Sequence, residues 1–179
     1  MLLRFASFLL LIVLGLANPA LAQSRLDVGA MGSSIDLAPY LQQLTTEKPE
    51  VMVELPRDAT GKVGVIALKS SRSVPSYHWR ILTLVNTGKI PKNLIVVIDH
   101  QKFAGSRLLY PLNPGSVVAS IAHTGSVAPA RISALGQDAY SLVLEPSANL
   151  SLGLEMTGTA PSALLWERDA FDSLLSWTT

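Results

Sequence analysis

Three histidines are the residues of this chain best suited to proton transfer or metal binding. His78, His100 and His123 lie more than 20 residues apart, and no pair has the His-x-x-x-His spacing that brings two imidazoles to one helix face. The chain has no cysteine, so thiolate ligands, disulfides and thiol nucleophiles are absent. The sequence therefore predicts neither a metal site nor a cofactor.

Acid–base and nucleophilic catalysis have few candidates. Asp99 beside His100 could orient an imidazole, yet no Gly-x-Ser-x-Gly turn presents a nucleophilic serine. Glu145, Glu155 and Glu167 could supply the carboxylate pair of a glycosidase, but a chain with 13 acidic residues offers such pairs by chance. We therefore expect no catalysis in this chain. Asp99 and His100 are the only named candidates for the competing hypothesis, a secreted hydrolase.

Polar side chains on one face of a strand are the remaining candidates for a binding site. Successive side chains of a strand point to opposite faces, so a core-facing Trp79 turns His78 and Arg80 to the other face, where they could meet a ligand. The alternative is that Arg80 pairs with an acid on a solvated face. Arg107 and Tyr110 fall on opposite faces of another predicted strand near its rim, and they complete the candidate ligand-binding set.

Short β-type segments must position these side chains. Their spacing, without helical patterns between them, favours antiparallel pairing, because parallel strands need long crossovers. We predict a mainly β, antiparallel, jelly-roll-like β-sandwich over residues 35–166, in which eight strands precede a last strand at 162–166. The eight cover residues 51–55, 63–68, 77–86, 93–99, 107–112, 116–121, 140–145 and 149–156.

Two of these segments have informative hydrophobic patterns. In 149–156, leucines and a methionine alternate with Ser151, Gly153 and Glu155, which predicts a half-buried strand. Residues 94–98 are apolar throughout, which predicts a central strand covered on both faces.

Helical spacing occurs near both ends of the folded region. Residues 35–44 begin with a candidate cap, Asp36, and place leucines on one stripe, which predicts a short N-terminal helix. Residues 167–179 predict a C-terminal helix with Phe171, Leu174 and Leu175 on one side. We expect this helix to dock on the domain, although Trp177 would also suit a membrane interface.

The first 22 residues have the three regions of a secretory signal peptide. Arg4 lies in a short basic start, an apolar run follows at 5–17, and Ala20-Leu21-Ala22 is the small-x-small pattern read by signal peptidase. We predict cleavage before Gln23, an irregular lead-in over residues 23–34, and a periplasmic or secreted domain. An uncleaved N-terminal anchor is the alternative.

The composition and charge of the chain bear on whether it binds nucleic acid. The 179 residues are 49% hydrophobic and 15% charged, which is typical of one globular domain. Lys and Arg number 14 and Asp and Glu 13, and removal of the segment containing Arg4 makes these numbers equal. Because the basic residues are dispersed rather than clustered, we exclude a nucleic-acid partner.

The order of several motifs resembles a bacterial receptor family. They are IDLAPYL at 35–41, YHWRILTLVN at 77–86, LIVVID at 94–99 before LLY at 108–110, and LLWERDAF at 164–171. Together they resemble the type 2 extracellular sensor domain of bacterial seven-transmembrane receptors with diverse intracellular signalling modules (7TMR-DISM). The resemblance spans residues 26–171.

The resemblance implies a carbohydrate-binding-like jelly roll that senses a carbohydrate or other small molecule in the periplasm. It implies that a seven-helix bundle passes the signal to a diguanylate cyclase, phosphodiesterase or histidine kinase. Trp79, Arg80 and Asn86 would lie on the signature strand, and Trp166 and Phe171 near a membrane-proximal junction. The sequence stops at Thr179, where such a receptor would enter its first membrane helix. We therefore expect either the extracytoplasmic piece of an inner-membrane receptor or a stand-alone relative.

A protein-interaction or structural module is the main competing hypothesis. It would use an exposed sheet edge or the stripe of Phe171, Leu174 and Leu175 in place of a small-molecule site.

Overall fold

The computed structural model describes residues 25–58, 60–99, 101–103, 109–111, 116–132, 137–158, 160 and 162–176, and this part of the chain is mainly β. The strands are β1 (Arg25–Asp27), β2 (Ser34–Asp36), β3 (Gln42–Thr46), β4 (Glu50–Glu54), β5 (Val65–Lys69), β6 (Tyr77–Val85), β7 (Lys92–Asp99), β8 (Gln101–Phe103), β9 (Leu109–Pro111), β10 (Val118–His123), β11 (Ala130–Ile132), β12 (Gln137–Leu144), β13 (Asn149–Met156) and β14 (Ser162–Glu167). A 3-10 turn spans Ala38–Tyr40, and helix α1 spans Arg168–Ser176.

Two five-stranded sheets form the body of the fold. In the first sheet, β6 pairs with β13, which pairs with β10, while β1 and β3 share the other edge of β6. In the second sheet the order is β11-β12-β7-β14-β2. Strands β4 and β5 form one separate hairpin, and β8 and β9 form another. Every pairing in the described chain is antiparallel except that of β1 with β6.

The main hydrophobic core lies between the two sheets. Alternate residues of β6 and β13 face alternate residues of β7, β12 and β14, as sandwich packing requires. The buried side chains that these strands contribute are Leu82, Leu84, Leu94, Val96, Ile98, Tyr140, Leu142, Leu144, Leu150, Leu152, Leu154, Met156, Ala163 and Leu165.

Each sheet is also covered on its outer face. The β4–β5 hairpin packs Ile66 and Leu68 against Tyr77, Trp79 and Ile81 of the first sheet, which forms a second core cluster. Across the second sheet, Phe171 of α1 packs against Ile95 and Val97 of β7. The described chain therefore has four layers: hairpin, sheet, sheet and helix.

Hydrophobic patterning located most of these elements. Each of the eight predicted strands is present, although the structure shows 107–112 as a strand only at Leu109–Pro111. The last strand and the C-terminal helix are confirmed as β14 and α1. The apolar run 94–98 is confirmed as a central strand, because β7 pairs on both sides and is buried on both faces.

The predicted helix over residues 35–44 is wrong. Leu37 is buried in the inter-sheet core, whereas Leu44 packs in the cluster beneath the β4–β5 hairpin, so the leucines that suggested one stripe serve two different layers. The backbone groups pair with other strands: β2 pairs with β14, and β3 pairs with β6. Asp36 does accept a hydrogen bond from the backbone N–H of Ala38 (2.9 Å), but only a 3-10 turn, with Leu37 at its N-cap position, follows it rather than a helix.

The lead-in predicted as irregular contains a strand. Arg25–Asp27 pair in parallel with Thr83–Val85, which extends the edge of the first sheet. The segment is short and has no alternating pattern, so only the exposed edge of β6 gives it a partner for its backbone groups.

Strand β13 is not half-buried as predicted. Ser151 and Glu155 are buried, as are the leucines on the opposite face. The reason is that the β4–β5 hairpin covers the face that the alternation assigns to solvent. Gly153 makes this covering possible, since a Cβ at that position would lie 2.2 Å from Cδ2 of Leu68.

Asp27 joins β1 to the turn after β6, and this contact gives a first prediction. Its Oδ2 accepts a hydrogen bond from Oγ1 of Thr87 (2.5 Å), and its Oδ1 accepts one from the N–H of Gly29 (2.8 Å). These bonds, with that of the Thr87 hydroxyl the larger, lower the pKa of Asp27. Because the folded pKa is lowered, the resulting stability is present above the unfolded pKa of about 3.9 and is lost as the pH falls through the folded pKa.

We expect Thr87→Val to raise the pKa of Asp27 towards its unfolded value, since the largest stabilising bond to the carboxylate is removed. A carboxyl ¹³C NMR titration measures this pKa directly. Thr60→Val is the matched control, because Thr60 donates to Asp58 and should move only the pKa of that residue. An Asp27 pKa unchanged in Thr87→Val would contradict the assignment.

Candidate functional site

The structure places His78 and Arg80 on one face of β6 and Trp79 on the other, as the alternation predicts. The layers differ from the expectation, however. Trp79 lies beneath the β4–β5 hairpin, whereas the face of His78 and Arg80 continues along β6 into the inter-sheet core at Leu82 and Leu84. The two polar side chains therefore lie at the end of the inter-sheet space, roughly 7 Å apart along the strand.

Two adjoining cavities open at this end of the sandwich, and we call them together the Arg80 groove. Their volumes are about 150 and 360 Å³, and both are lined by Gln43, Arg80 and Met156. The other lining residues are Ala38, Leu41, Ile98, Ala160, Ser162 and Ala163 in the smaller cavity, and Leu44, Thr45, His78, Trp79, Thr157 and Gly158 in the larger.

Several elements position the groove. Strands β3 and β6 pair with Gln43 opposite Arg80 and Thr45 opposite His78, so all four side chains share a face. Met156, at the end of β13, pairs with His78 on the other side of β6. The 3-10 turn closes one wall, and it is held to β14 by the hydrogen bond from the N–H of Leu37 to the carbonyl of Ala163 (2.8 Å).

Arg80 is half-buried, and its guanidinium has no hydrogen bond or ion pair with any residue that the structure describes. The expected alternative, a pairing with an acid on a solvated face, is therefore not seen in the described chain. By contrast, Arg72, Arg131 and Arg168 each bind a carboxylate, and Arg57 donates to the carbonyl of Gly61. Arg80 thus presents unused donors to a cavity.

Polar side chains without a carboxylate surround the guanidinium of Arg80. Nδ1 of exposed His78 lies 3.2 Å from Oγ1 of Thr45, and its Nε2 lies 3.4 Å from Oγ of Ser76. The residues that line the Arg80 groove include no aspartate or glutamate. The arrangement has donors for an anionic or acceptor-rich ligand and an apolar floor, but it has no carboxylate for acid–base work.

The other predicted ligand-binding residues are not brought to this groove by any described contact. Arg107 lies outside the described residues, as do His100 and the segment 1–22. Tyr110 lies in β9, where its backbone pairs with Lys102 of β8.

The residues proposed as structural signatures have packing roles. Asn86 is fully buried, and its Nδ2 donates to the carbonyls of Ile90 (2.8 Å) and Leu144 (3.0 Å), so it joins the β6–β7 turn to the end of β12. Trp166 and Phe171 make an edge-to-face contact with their ring centroids 6.3 Å apart. Phe171 is buried, so the predicted docking stripe leaves only Leu174 and Leu175 exposed on α1.

Glu155 holds the segment after β5 on the first sheet and is fully buried. It accepts hydrogen bonds from the hydroxyls of Ser70 (2.8 Å) and Ser120 (3.0 Å) and pairs with Arg72 (3.2 Å). Both of its carboxylate oxygens therefore accept hydrogen bonds from residues of the fold. The alternation in β13 predicts a solvated Glu155, so this burial is a correction.

Asp138 is a second fully buried acid, and sequence reasoning missed it. Its Oδ1 accepts bonds from Oγ of Ser116 and Nη2 of Arg131, both at 2.7 Å. Its Oδ2 accepts the N–H groups of Val117 (2.7 Å) and Val118 (3.1 Å). Since Asp138 lies in the second sheet and Val118 in the first, one carboxylate links the two sheets. The sequence signal was weak: Asp138 lies between Gln137 and Ala139 near the start of β12.

Comparison of the chain with protein-family models, curated proteins and solved structures gives no match. Among the described residues, no three histidine, aspartate or glutamate side chains lie together as a metal site would require. No helix in the described chain has the length and hydropathy of a membrane span.

Proposed function

We propose that this chain is the ligand-binding sensor module of a bacterial membrane signalling receptor, that it works in the periplasm, and that it has no catalytic activity of its own. The observation that carries the proposal is the half-buried Arg80, which has no partner in the described chain and lines a groove between the sheets. A charged side chain that folding leaves partly desolvated and unpaired gains most from an incoming acceptor.

The chemistry of the groove supports a small molecule as the ligand. Arg80, Gln43 and His78 supply directional polar contacts, while Ile98 and Met156 supply apolar area, a combination common in small-molecule sites. The ligand would be a carbohydrate or another small molecule with a carboxylate or several oxygen acceptors.

The receptor context rests on the sequence resemblance and on the predicted export signal. In this proposal the sandwich is a jelly roll of the carbohydrate-binding-like type, and a membrane bundle with an intracellular enzyme lies beyond this sequence. Helix α1 would form the membrane-proximal junction. The contact of Trp166 with Phe171 joins α1 to β14, and β14 pairs with β7. In this proposal the contact would connect the junction to the second sheet.

A protein-interaction module remains the alternative function. With Phe171 buried, it would rely on exposed Leu174 and Leu175 or on a sheet edge. It predicts that no small molecule stabilises the domain, and so the same experiment separates the two functions.

The test is a thermal-shift screen of the purified protein with sugars and small carboxylates. A ligand specific for the folded state must raise the melting temperature. We expect Arg80→Gln to weaken the binding of at least one such ligand by about tenfold or more, because a hydrogen bond from a charged group contributes about 1.5–3 kcal/mol. Titration calorimetry measures the affinity of both proteins.

Arg168→Gln is the matched control. It removes the same charge from α1, where Arg168 pairs with Asp172 on the far side of the second sheet, and it should leave the affinity unchanged. If Arg80→Gln leaves the affinity of every such ligand unchanged, the ligands bind elsewhere and the proposed groove is overturned. A silent screen would favour the protein-interaction module.

A further inference from the structure

A second concave site lies on the other face of the first sheet. It is a cleft of about 390 Å³, which we call the Arg25 cleft, and it lies between the β4–β5 loop and the ends of β6 and β13 opposite to those that form the Arg80 groove. Its floor is polar, and Arg25, Thr83 and Ser151 line it. The volume falls at the lower end of the range for small-molecule sites, about 300–1,000 Å³.

Arg25 is the first reason to infer a ligand. Its Nε is buried and has no hydrogen-bond partner among the described residues. None of the ion pairs in the described chain includes it, although Asp58 and Lys62 line the same cleft and the charge of Arg25 helps to lower the pKa of Asp58. Lys62 adds a second cation, so the three charged side chains of the cleft have a formal sum of +1.

The floor of the cleft supplies the second reason. The hydroxyls of Thr83 and Ser151 are both buried and lie 2.9 Å apart. A pair of hydroxyls has two O–H donors and uses one of them in its mutual bond, so the other remains for an acceptor above the floor. Asn149 and Thr124 extend this polar surface.

The loop that carries Asp58 and Lys62 is well organised. Oδ1 of Asp58 accepts bonds from Oγ1 of Thr60 (2.6 Å), from its N–H (2.8 Å) and from the N–H of Lys62 (3.0 Å). Gly61 has a φ of 84°, which permits the tight turn between these residues. The bond from the Thr60 hydroxyl, followed by that from Lys62, lowers the pKa of Asp58. Its other oxygen can accept bonds from ligand hydroxyls.

We propose that the Arg25 cleft binds a small hydroxycarboxylate. The ligand carboxylate would pair with the guanidinium of Arg25, whose fork of donors matches two carboxylate oxygens, with Lys62 adding charge. Its hydroxyl groups would bind Asp58, Asn149 and the hydroxyl pair of Thr83 and Ser151. This site is separate from the Arg80 groove, and it requires neither the sensor role nor the receptor context.

Three six-carbon probes test the proposed carboxylate contact and the proposed hydroxyl contacts separately. Gluconate carries the carboxylate and the hydroxyls, sorbitol replaces the carboxylate by a neutral alcohol, and hexanoate lacks the hydroxyls. We expect gluconate to bind the purified protein at least tenfold more tightly than sorbitol or hexanoate, measured by calorimetry. We also expect it to shift the amide NMR signals of Thr83, Thr124 and Ser151.

Substitutions then test the residues. Arg25→Gln should weaken gluconate binding by about tenfold, since a charged hydrogen bond is lost, and the exposed Lys62→Gln should weaken it less without a risk to folding. Arg168→Gln is the control that should retain wild-type affinity, because it lies on α1 behind the second sheet.

Each other outcome overturns the proposal. Sorbitol binding as tightly as gluconate would exclude the carboxylate contact, and hexanoate binding as tightly would exclude the hydroxyl contacts. No gluconate binding, binding unchanged in both Arg25→Gln and Lys62→Gln, or signal changes confined to His78, Arg80 and Thr157 would exclude the cleft. The last result would support the Arg80 groove, so the two sites can fail independently.

Discussion

Replacing Asp138 by alanine should lower the free energy of unfolding by about 4 kcal/mol, because it strands buried donors. Without Oδ2 of Asp138, the buried N–H of Val117 loses its acceptor and that of Val118 keeps only Oγ of Ser116 at 3.2 Å. An unsatisfied buried donor costs about 1–3 kcal/mol. The hydroxyl of Ser116 and the guanidinium of Arg131 also lose their shared acceptor. Urea denaturation measures the change.

Asp138→Asn should lose about 2 kcal/mol, although it keeps the shape of the side chain. All four neighbouring groups donate to the carboxylate, and an amide has only one acceptor oxygen. Its NH₂ must therefore face either the two backbone N–H groups or the side chains of Ser116 and Arg131. Asp172→Asn is the matched control, because it breaks an exposed pair with Arg168 and should cost under about 0.5 kcal/mol. A loss below 1 kcal/mol in Asp138→Ala would refute the role of this carboxylate as a link between the sheets.

Replacing Gly153 by valine should destabilise the protein by about 3 kcal/mol, since it overpacks the layer beneath the β4–β5 hairpin. Even the Cβ would lie 2.2 Å from Cδ2 of Leu68, and two further methyl groups would enter the same space. Leu68 is fully buried, so it cannot move aside into solvent. We expect a lower melting temperature and faster amide exchange in β5, because the hairpin is displaced from the sheet.

A double substitution separates overpacking from any change in strand propensity. Leu68→Ala removes the methyl group that the new Cβ would meet, so Gly153→Ala combined with Leu68→Ala should cost less than the sum of the two single changes. Gly32→Ala is the control, because a Cβ there meets no atom within 4 Å. Additive costs for Gly153 and Leu68 would show that the close approach does not limit the packing.

The two buried acids, Glu155 and Asp138, hold β10 against the elements packed on either face of the first sheet. Glu155 binds residues that follow β5 and one residue of β10, whereas Asp138 binds the chain that leads into β10 from the opposite sheet. For each carboxylate several protein donors replace water, which is the condition for burying it. Strand β10 is thus held by a carboxylate on each face of the first sheet.

Local patterns located nine of the fourteen described strands but not β1, β2, β3, β8 or β11. The alternation of leucines in β13 and the unbroken apolar run of β7 each follow from the two-residue repeat of extended chain. The same repeat assigned Trp79 and Arg80 to opposite faces of β6. It failed at residues 35–44, where leucines spaced as on a helix serve two different layers, and no local rule distinguishes the two cases.

The sequence by itself determined that the chain forms β strands, where most of them lie and which side chains share a face, because backbone geometry fixes these properties locally. Only the tertiary structure decided which faces of the sheets are covered by other elements. Ser151, Glu155 and Phe171 are buried for this reason. The tertiary structure also decided that Arg72 pairs with an acid, whereas Arg80 pairs with none in the described chain and Arg25 acts on Asp58 without forming an ion pair in the described chain. Whether a face is covered or a charge is paired depends on residues far apart in the sequence, and their positions follow from the packing of all four layers together.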